Sequence, residues 1–477
     1  MEQVKATTTV SPPQAGFFDR FKNLRGLWRD IAATLGAAPK AISPELPADD
    51  ADILRAQMRD CLEEKGGEVS ARARAAALGR SYLALNAEGR KRFLRILADE
   101  FGTDRVRVDA AMADVAAAAD LPARFKAEQS LRQALESPRL RLLTQFNALP
   151  EGVKFLVDLR AELLPLTRAD AAMAALESDL KDLLDSWFDV GFLELERITW
   201  RSSALVLEKI MAYEAVHAIQ GWRDLKNRLD SDRRLYAFFH PRMPDEPLIF
   251  VEVALVNGMA GNVLELLDEN APVGDPEKAD TAIFYSINNA QKGLVGISFG
   301  NFLIKKVVDR LSHEFPNLKT FATLSPIPGF RSWLDEKLAT GEGSLLLPAD
   351  QKVLAGVSKA LGAECSLKAV LAAPWQSDTA LAEQLRPLLS RLCVRYLGEK
   401  KGSGRALDPV AHFHLSNGAR MERLNWLGDG SAKGITQSAG MMINYLYKLS
   451  EIDANHESYR GQGKIVLSSA VKALGKE

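Results

Sequence analysis

The sequence predicts an α+β protein in two parts: an all-helical N-terminal bundle followed by a mixed α/β domain. Residues 17–190 are rich in Ala, Leu, Arg, Asp and Glu and poor in β-branched residues, a composition typical of packed helices. Short β-type runs, together with all six histidines, appear only after Gly191. The stretch from Gln291 to Phe330 has the order loop, helix, strand and sharp turn, which indicates a mixed α/β arrangement.

Length, charge and cysteine count narrow the class of protein. At 477 residues the chain is long enough for two or three domains. A net charge of −1 predicts no basic surface, so neither nucleic acid nor an anionic membrane is an expected partner. Cys61, Cys365 and Cys393 lie far apart and form no CxxC pair, so neither a disulfide framework nor a cysteine-rich zinc site is predicted.

The N-terminus carries no targeting pattern that we recognise. Residues 1–16 contain Thr, Pro and Gly with little to bury, and we expect them to be disordered. They lack the apolar core of a signal peptide, and no apolar run approaches the roughly 20 residues of a membrane span. The sequence therefore predicts a cytoplasmic protein.

The N-terminal region, residues 17–190, reads as helical throughout. Apolar residues such as Tyr82, Leu83, Phe93 and Leu94 come in helical clusters, and residues 170–187 form a further helix. Asn86 and Asp104 are candidate N-caps, the residues that accept hydrogen bonds from the first backbone N–H groups of a helix. The region has no histidine and no grouping of catalytic side chains, so we expect a bundle for packing or oligomerisation.

The C-terminal region, residues 191–477, alternates between the two kinds of element. Apolar and β-branched runs predict strands, and amphipathic stretches predict helices. The expected strands are 233–240, 248–255, 283–287 and 320–324, and the expected helices are 203–213, 301–315, 329–339, a segment over 347–396 broken by Pro374, and 463–474.

The stretch 291–330 has the features of an anion-binding loop beside a reactive group. Gly293, Gly296 and Gly300 precede an amphipathic helix, and backbone N–H groups at a helix start favour phosphate. Ser325 follows the next strand, and Pro326 biases it to an extended conformation. The alternative is that the glycines are ordinary turn residues and that Ser325 caps the following helix.

The histidines give a second group of candidates. His412 and His414 are two residues apart, so on a strand both would lie on one face, either as a metal pair or as one working imidazole beside a helper. No HExxH pattern accompanies them, and a metal is not predicted. A structural role is the alternative for both, as it is for His240, which ends a strand and either caps that corner or contacts a ligand.

Five blocks in this order carry a family resemblance: FFHPRMPDEPLIFVEVAL, GLVGISFGNFLIKKVV, FATLSPIPGF, PVAHFHLSNGA and GITQSAGMMINY. Together they resemble the malonyl-CoA decarboxylase family over nearly the whole chain. The resemblance implies a helical domain at 17–190 that forms a homo-oligomer, a dimer or tetramer, and a catalytic domain at 191–477 similar to the GNAT acetyltransferase fold. It also implies conversion of malonyl-CoA to acetyl-CoA and CO₂ without a metal or organic cofactor.

The resemblance also assigns site residues. The family's catalytic serine and histidine match Ser325 and His414, and His240 and Tyr445 are further candidates for the pocket wall. The family's CoA-contacting loop falls on Val295, Gly296, Ile297, Ser298, Phe299, Gly300 and Asn301. Some members carry glutamate where this chain has Ser298, so no role for that carboxylate carries over.

These residue types suit the implied chemistry. Loss of CO₂ from a malonyl thioester leaves an enolate, which hydrogen-bond donors stabilise and which then needs a proton. With an ordinary pKa of about 6.5, His414 could supply that proton near neutral pH, while Ser325 orients the carboxylate. Two alternatives remain: a GNAT-like acyltransferase that moves an acyl group to an amine, and a helical scaffold that only binds CoA.

Overall fold

The computed structural model describes residues 17–35, 42–63, 67–297, 302–341 and 345–476. The N-terminal region is helical, as predicted. Its helices are α1 (Phe17–Ala32), α2 (Ala48–Leu62), α3 (Glu68–Ala84), α4 (Ala87–Glu100), α5 (Arg105–Ala117), α6 (Leu121–Leu135), α7 (Pro138–Thr144), α8 (Gly152–Leu163) and α9 (Ala171–Trp187). The predicted disordered segment 1–16 lies outside the described residues.

The C-terminal region mixes strands and helices, which confirms the α+β class. The strands are β1 (Glu194–Ile198), β2 (Arg233–Phe239), β3 (Ile249–Val256), β4 (Thr281–Asn289), β5 (Thr320–Thr323), β6 (Ser325–Pro326), β7 (Arg420–Asn425) and β8 (Met442–Leu446). The helices are α10 (Ala204–Tyr213), α11 (Trp222–Arg228), α12 (Val263–Leu266), α13 (Phe302–Glu314), α14 (Phe330–Ala339), α15 (Pro348–Leu361), α16 (Leu367–Ala372), α17 (Thr379–Gly398), α18 (Pro409–Ser416), α19 (Ala432–Ser438), α20 (Ile452–Gln462) and α21 (Ser469–Leu474).

The eight strands of the described residues belong to one sheet of order β1-β2-β3-β4-β5-β8-β6, with β7 paired to β8. Strands β1, β2, β3 and β4 pair antiparallel with one another in that order, whereas β4 and β5 are parallel. Strand β8 pairs antiparallel with β5, β6 and β7. The chain therefore brings the ends of β4, β5 and β6 together in the middle of the sheet.

Local sequence signals account for many of these elements. The side chains of Asn86 and Asp104 accept hydrogen bonds from backbone N–H groups and cap α4 and α5, as predicted. The apolar stripe of α13 is buried in the main core, where it packs below the sheet. The members of this stripe are Leu303, Ile304, Val307, Val308, Leu311 and Phe315.

Two local expectations differ from the structure. His412 and His414 lie on helix α18, so the shared strand face considered for them does not form, because Asp408 caps that helix and Pro409 suits its first turn. The helix expected at 463–474 forms only over its second half, as α21 (Ser469–Leu474), because Gly463, with a φ of +63°, ends the preceding helix α20 and residues 464–468 are not helical.

The helical region also supports the segment that follows β4. Arg160 on α8 donates from Nη1 to the carbonyl oxygen of Gly293 at 2.5 Å. A Cβ on Gly293 would lie 1.7 Å from the carbonyl oxygen of Val157, so this close approach requires glycine. Within the described ranges, every helix is too short or too polar to cross a membrane.

Candidate active site

The two residues that the sequence singled out lie together. Ser325 Oγ is 3.1 Å from His414 Nε2, across 89 positions of the chain. Both side chains are buried, with 6% and 3% of their surface exposed. The fold brings them together because β6 pairs with β8, so that Ser325 lies opposite Ile443, while α18 packs over this part of the sheet.

Helix α18 is anchored at its start by a buried carboxyl. Asp408 Oδ1 accepts from the backbone N–H of Ala411 at 2.8 Å, and Asp408 Oδ2 accepts from the hydroxyl of Tyr396 on α17 at 3.0 Å. A Cβ on Gly329, in the turn after Ser325, would lie 2.0 Å from that same hydroxyl. Asp408 therefore ties α17, α18 and the Ser325 turn together.

Hydrogen bonds extend from the Ser325–His414 pair in both directions. Tyr447 Oη is 2.8 Å from His414 Nδ1, and Ser325 Oγ is 2.8 Å from Thr323 Oγ1. The backbone N–H of Tyr445 donates to Thr323 Oγ1 at 3.1 Å. The ring of Tyr445 stacks on the imidazole, with ring centroids 4.4 Å apart and planes at 24°.

Burial sets the charge of the imidazole. His414 is enclosed by uncharged rings and hydroxyls, and burial lowers its pKa from 6.5 to about 3. Burial therefore favours the neutral form of this imidazole. The ordinary pKa of about 6.5 does not hold for His414 in this environment, and its role as proton donor stays a prediction.

Ser325 and His414 form part of the wall of a cavity of about 230 Å³. Most of the wall is apolar, and Ser286 and Asn289 add polar groups at the end of β4. The full lining is Val216, Phe284, Tyr285, Ser286, Ile287, Asn289, Ser325, Pro326, Pro409, Val410, Phe413 and His414. The cavity can hold a small acyl group beside the Ser–His pair.

The other predicted site residues lie elsewhere. Val295 and Ile297 follow a short 3₁₀ turn after β4, with Gly296 between them at a φ of +78°, and these residues do not line this cavity. Ser298, Phe299, Gly300 and Asn301 lie outside the described residues.

His240 and Tyr445 were candidates for the pocket wall, but neither lines the cavity. His240 Nε2 lies 3.1 Å from the carbonyl oxygen of Trp187, and its Nδ1 accepts from the backbone N–H of Arg242. His240 therefore caps the corner after β2, which is the structural one of the two roles considered for it. Tyr445 is fully buried behind His414 and contacts the imidazole without lining the cavity.

Sequence reasoning missed several partners of the pair. Thr323 contacts Ser325, and Tyr447 contacts His414. Asp408 caps the start of α18, and Ser286 lines the cavity. The two-residue spacing of Tyr445 and Tyr447 places both on one face of an extended chain, and that was the available signal. No cluster of three or more metal-ligating side chains occurs in the part of the chain that the structure describes.

The fold and this site define an α+β enzyme with a buried serine–histidine pair beside a small acyl-sized cavity. Residues 101–188 match the family model described as the malonyl-CoA decarboxylase N-terminal domain, and residues 191–477 match the model for the C-terminal domain. The chain belongs to the malonyl-CoA decarboxylase family, and the prediction of a carboxy-lyase is confirmed.

Named relatives and solved structures agree with this family. The chain is 39% identical to mitochondrial malonyl-CoA decarboxylase of Anser anser anser, covering 83% of this chain and 82% of the relative. For the Rattus norvegicus protein the identity is also 39%, over 88% and 85% of the two chains. The crystal structure of malonyl-CoA decarboxylase from Rhodopseudomonas palustris superposes with a TM-score of 0.80 at 42% identity, over 88% and 99% of the chains. The Agrobacterium vitis structure gives 0.80 at 41% identity, over 89% and 100%.

Proposed function

We propose that this chain converts malonyl-CoA to acetyl-CoA and CO₂ in the cavity beside Ser325 and His414. The observation that carries the proposal is the 3.1 Å contact between these two side chains at the wall of an acyl-sized cavity. The relatives named above are malonyl-CoA decarboxylases, which supports the same substrate.

In this proposal the Ser–His pair stabilises the enolate. The bond between the α-carbon and the carboxylate breaks, CO₂ leaves, and the electron pair spreads onto the thioester oxygen. The α-carbon then takes up one proton, which comes ultimately from water, to give acetyl-CoA. Tyr447 donates to Nδ1 of the neutral imidazole, so that Nε2–H donates to Ser325 Oγ. The hydroxyl hydrogen of Ser325 then turns from Thr323 to the thioester oxygen, where negative charge develops. A neutral imidazole with a lowered pKa performs comparable polarisation in other enzymes.

The apolar wall favours loss of CO₂. A carboxylate that enters the cavity leaves water for the side chains of Phe284, Ile287, Val410 and Phe413. Its charge is less well solvated there than the dispersed charge of the transition state, which lowers the barrier. None of these steps uses a metal or organic cofactor, and the proposal includes none.

CoA itself must extend away from this cavity. We place its pyrophosphate at the loop 295–301, which precedes the N-terminus of α13, because helix starts bind anions. Loop residues 295–297 follow the end of β4, the strand that supplies Ser286 and Asn289 to the cavity.

The first test measures CO₂ and acetyl-CoA formation from malonyl-CoA, in the presence of EDTA. We expect Ser325→Ala and His414→Ala each to lose about 10²-fold or more in kcat, the loss typical of removing one oxyanion donor. His412→Ala is the matched control, because His412 lies on the same helix but does not line the cavity. A wild type that releases no CO₂ but moves acetyl groups to amines would favour the acyltransferase, and variants that behave like wild type would favour a binding scaffold.

We also propose that residues 17–190 form an oligomerisation domain separate from the catalytic domain at 191–477. Helices α5 and α6 have a small core of their own, made by Val108, Ala111 and Ala134 with Leu131 packed against it. Their outer faces carry apolar side chains that are more than half exposed: Val106, Met112, Leu121, Phe125 and Leu135. A second copy of the chain would cover this surface in a dimer or tetramer.

A further inference from the structure

A second cavity lies directly beside the acyl cavity. It has a volume of about 280 Å³, and its wall includes Val216, Pro326 and Val410, which also line the acyl cavity. These three residues therefore separate the two cavities, and we call them the partition. Pro326 belongs to β6, Val410 to α18 and Val216 to the loop after α10, so three separate parts of the chain meet there.

The partition adjoins the Ser–His pair. Pro326 directly follows Ser325 in the chain, and Val410 lies one helical turn before His414 on the same face of α18. The α-carbon of an acyl group is bonded to the thioester carbon. When the thioester oxygen contacts Ser325, this α-carbon is therefore within reach of the partition.

The second cavity can accept an alkyl group. Its wall has apolar surface from Ala215, Pro328, Met441 and Met442, and both methionines are fully buried. Its volume exceeds the roughly 230 Å³ of the acyl cavity, which leaves room for a short alkyl chain. The partition is what keeps an acyl group in the first cavity from using this room.

Hydrogen bonds fix the backbone of Val216 from both sides. Its N–H donates to Glu214 Oε1 at 2.8 Å, and its carbonyl oxygen accepts from Lys433 Nζ on α19 at 2.8 Å. Lys433 Nζ also donates to the carbonyl oxygen of Ala215 at 3.0 Å, and the N–H of Ala215 donates to Asn288 Oδ1 on β4 at 3.0 Å. The loop is therefore held in place when a larger acyl group enters.

The carboxyl that holds Val216 is itself buried and fixed. Glu214 Oε2 accepts from Asn288 Nδ2 at 2.6 Å, and Ser286 Oγ lies 2.8 Å from the same oxygen. Ser286 and Asn288 both belong to β4, the strand that forms part of the acyl cavity wall. This buried polar cluster therefore ties the partition to the sheet.

We propose that Val216 and Val410 limit the size of the substituent on the α-carbon of the malonyl group, and that Lys433 is a positioning residue that maintains this limit. The inference deepens the decarboxylation proposed above and rests on it. A malonyl group has two hydrogen atoms on its α-carbon, whereas an alkylmalonyl group has to place an alkyl chain where the partition stands. Removing part of the partition joins the two cavities and gives that chain room in the second one.

The test compares ethylmalonyl-CoA with malonyl-CoA by the ratio of their kcat/KM values for release of CO₂. Val216→Ala and Val410→Ala are each expected to raise this ratio about 10-fold or more, because one methylene in an apolar pocket changes discrimination by roughly 10–200-fold. Lys433→Met should raise the ratio in the same direction, although Lys433 does not line the acyl cavity. Lys433→Arg keeps a charged donor and should restore the wild-type ratio.

Gln437→Ala is the matched control for these variants. Gln437 lines the second cavity but not the acyl cavity, so its truncation enlarges the second cavity and leaves the partition intact. This variant should keep the wild-type ratio. The wild-type ratio in Val216→Ala and Val410→Ala, or an equal rise in Gln437→Ala, would overturn the proposal, and the wild-type ratio in Lys433→Met would overturn the role of Lys433.

A second measurement does not depend on turnover. Calorimetry gives the Kd values of butyryl-CoA and 2-ethylbutyryl-CoA, neither of which has a carboxylate that can leave as CO₂. Val216→Ala should strengthen binding of the branched thioester relative to the unbranched one. If wild type releases no CO₂ while this relative affinity rises, the proposed function fails and the partition stands. If CO₂ is released but neither ratio changes, the partition is wrong.

Discussion

Tyr447 decides which nitrogen of His414 carries the proton. Its hydroxyl lies 2.8 Å from Nδ1, on the side of the ring away from Ser325. Tyr447→Phe removes this partner and leaves a buried nitrogen unpaired, at a cost of about 1–3 kcal/mol. We expect kcat to fall roughly 10-fold, which corresponds to about 1.4 kcal/mol, with KM little changed, and ¹⁵N NMR to show a mixture of His414 tautomers.

The control for this prediction is a second tyrosine–histidine pair, whose histidine lies on the same helix, α18. Tyr459 Oη is 2.8 Å from His412 Nδ1, and neither residue lines the cavity. Tyr459→Phe should therefore keep the kcat of wild type. Equal losses in the two variants would mean that Tyr447 acts on the stability of α18 and not on the imidazole.

His217 should make the stability of the fold depend on pH. Burial lowers its pKa from 6.5 to about 4, and its Nε2 accepts no hydrogen bond from the described residues. As the pH falls below about 6.5 the unfolded chain takes up the proton first, so this histidine lowers the free energy of unfolding down to about pH 4. Denaturant titrations should give a shallower loss of stability in His217→Gln between these pH values; identical slopes would contradict the prediction.

At the scale of single residues, the sequence predicted which residues form the pair but not the protonation state of the histidine. Ser325 and His414 were predicted from the blocks around them, and the structure places them in contact. The lowered pKa of His414 depends on Tyr445, Tyr447 and the sheet, which close around it from distant parts of the chain. Ser286 gave no signal because its partner Glu214 is 72 positions away in the chain.

The start of α18 is the element on which the site geometry depends most. Asp408 is 1% exposed, caps the helix and accepts from Tyr396. Asp408→Ala loses a cap, about 1 kcal/mol, and leaves a buried hydroxyl unpaired, at about 1–3 kcal/mol. We expect thermal or urea unfolding to show a loss of about 3 kcal/mol, together with lower kcat because His414 is displaced.

Another N-cap separates these two effects. Asp378 caps α17 through Ala380 and Leu381 on an exposed surface. Asp378→Ala should cost only about 1 kcal/mol and leave kcat unchanged. If Asp408→Ala costs no more than Asp378→Ala, the hydroxyl of Tyr396 finds another partner and Asp408 does not hold the site together.

Strong local patterns predicted the elements, and weak ones did not. The α13 stripe and the β2 and β3 runs are long and agree with the structure. The short α18 was not predicted, because the alternation of His412, Phe413 and His414 resembles a period of two. The Asp408–Pro409 cap, which outweighs that alternation, is a stronger helix signal.

At the scale of the whole molecule, the helical region does more than pack against itself. Arg160 on α8 holds the backbone at Gly293 and also pairs with Glu177 on α9 at 2.6 Å. The loop proposed to bind CoA begins two residues after Gly293. Composition predicted a helical bundle, but this support depends on a contact between residues 133 positions apart, which no local pattern reveals.

The last prediction is that the exposed apolar face of helices α5 and α6 forms the oligomer interface. Leu121 and Phe125 lie one turn apart on α6 and are 62% and 60% exposed. Burying such a side chain contributes roughly 1.5–3 kcal/mol, and in a symmetric dimer each counts twice. Leu121→Glu with Phe125→Glu should therefore shift the mass measured by sedimentation equilibrium to a smaller species. Val273→Glu, a half-exposed site outside the hairpin, should keep the wild-type mass, and an unchanged mass in the double variant would place the oligomer interface elsewhere.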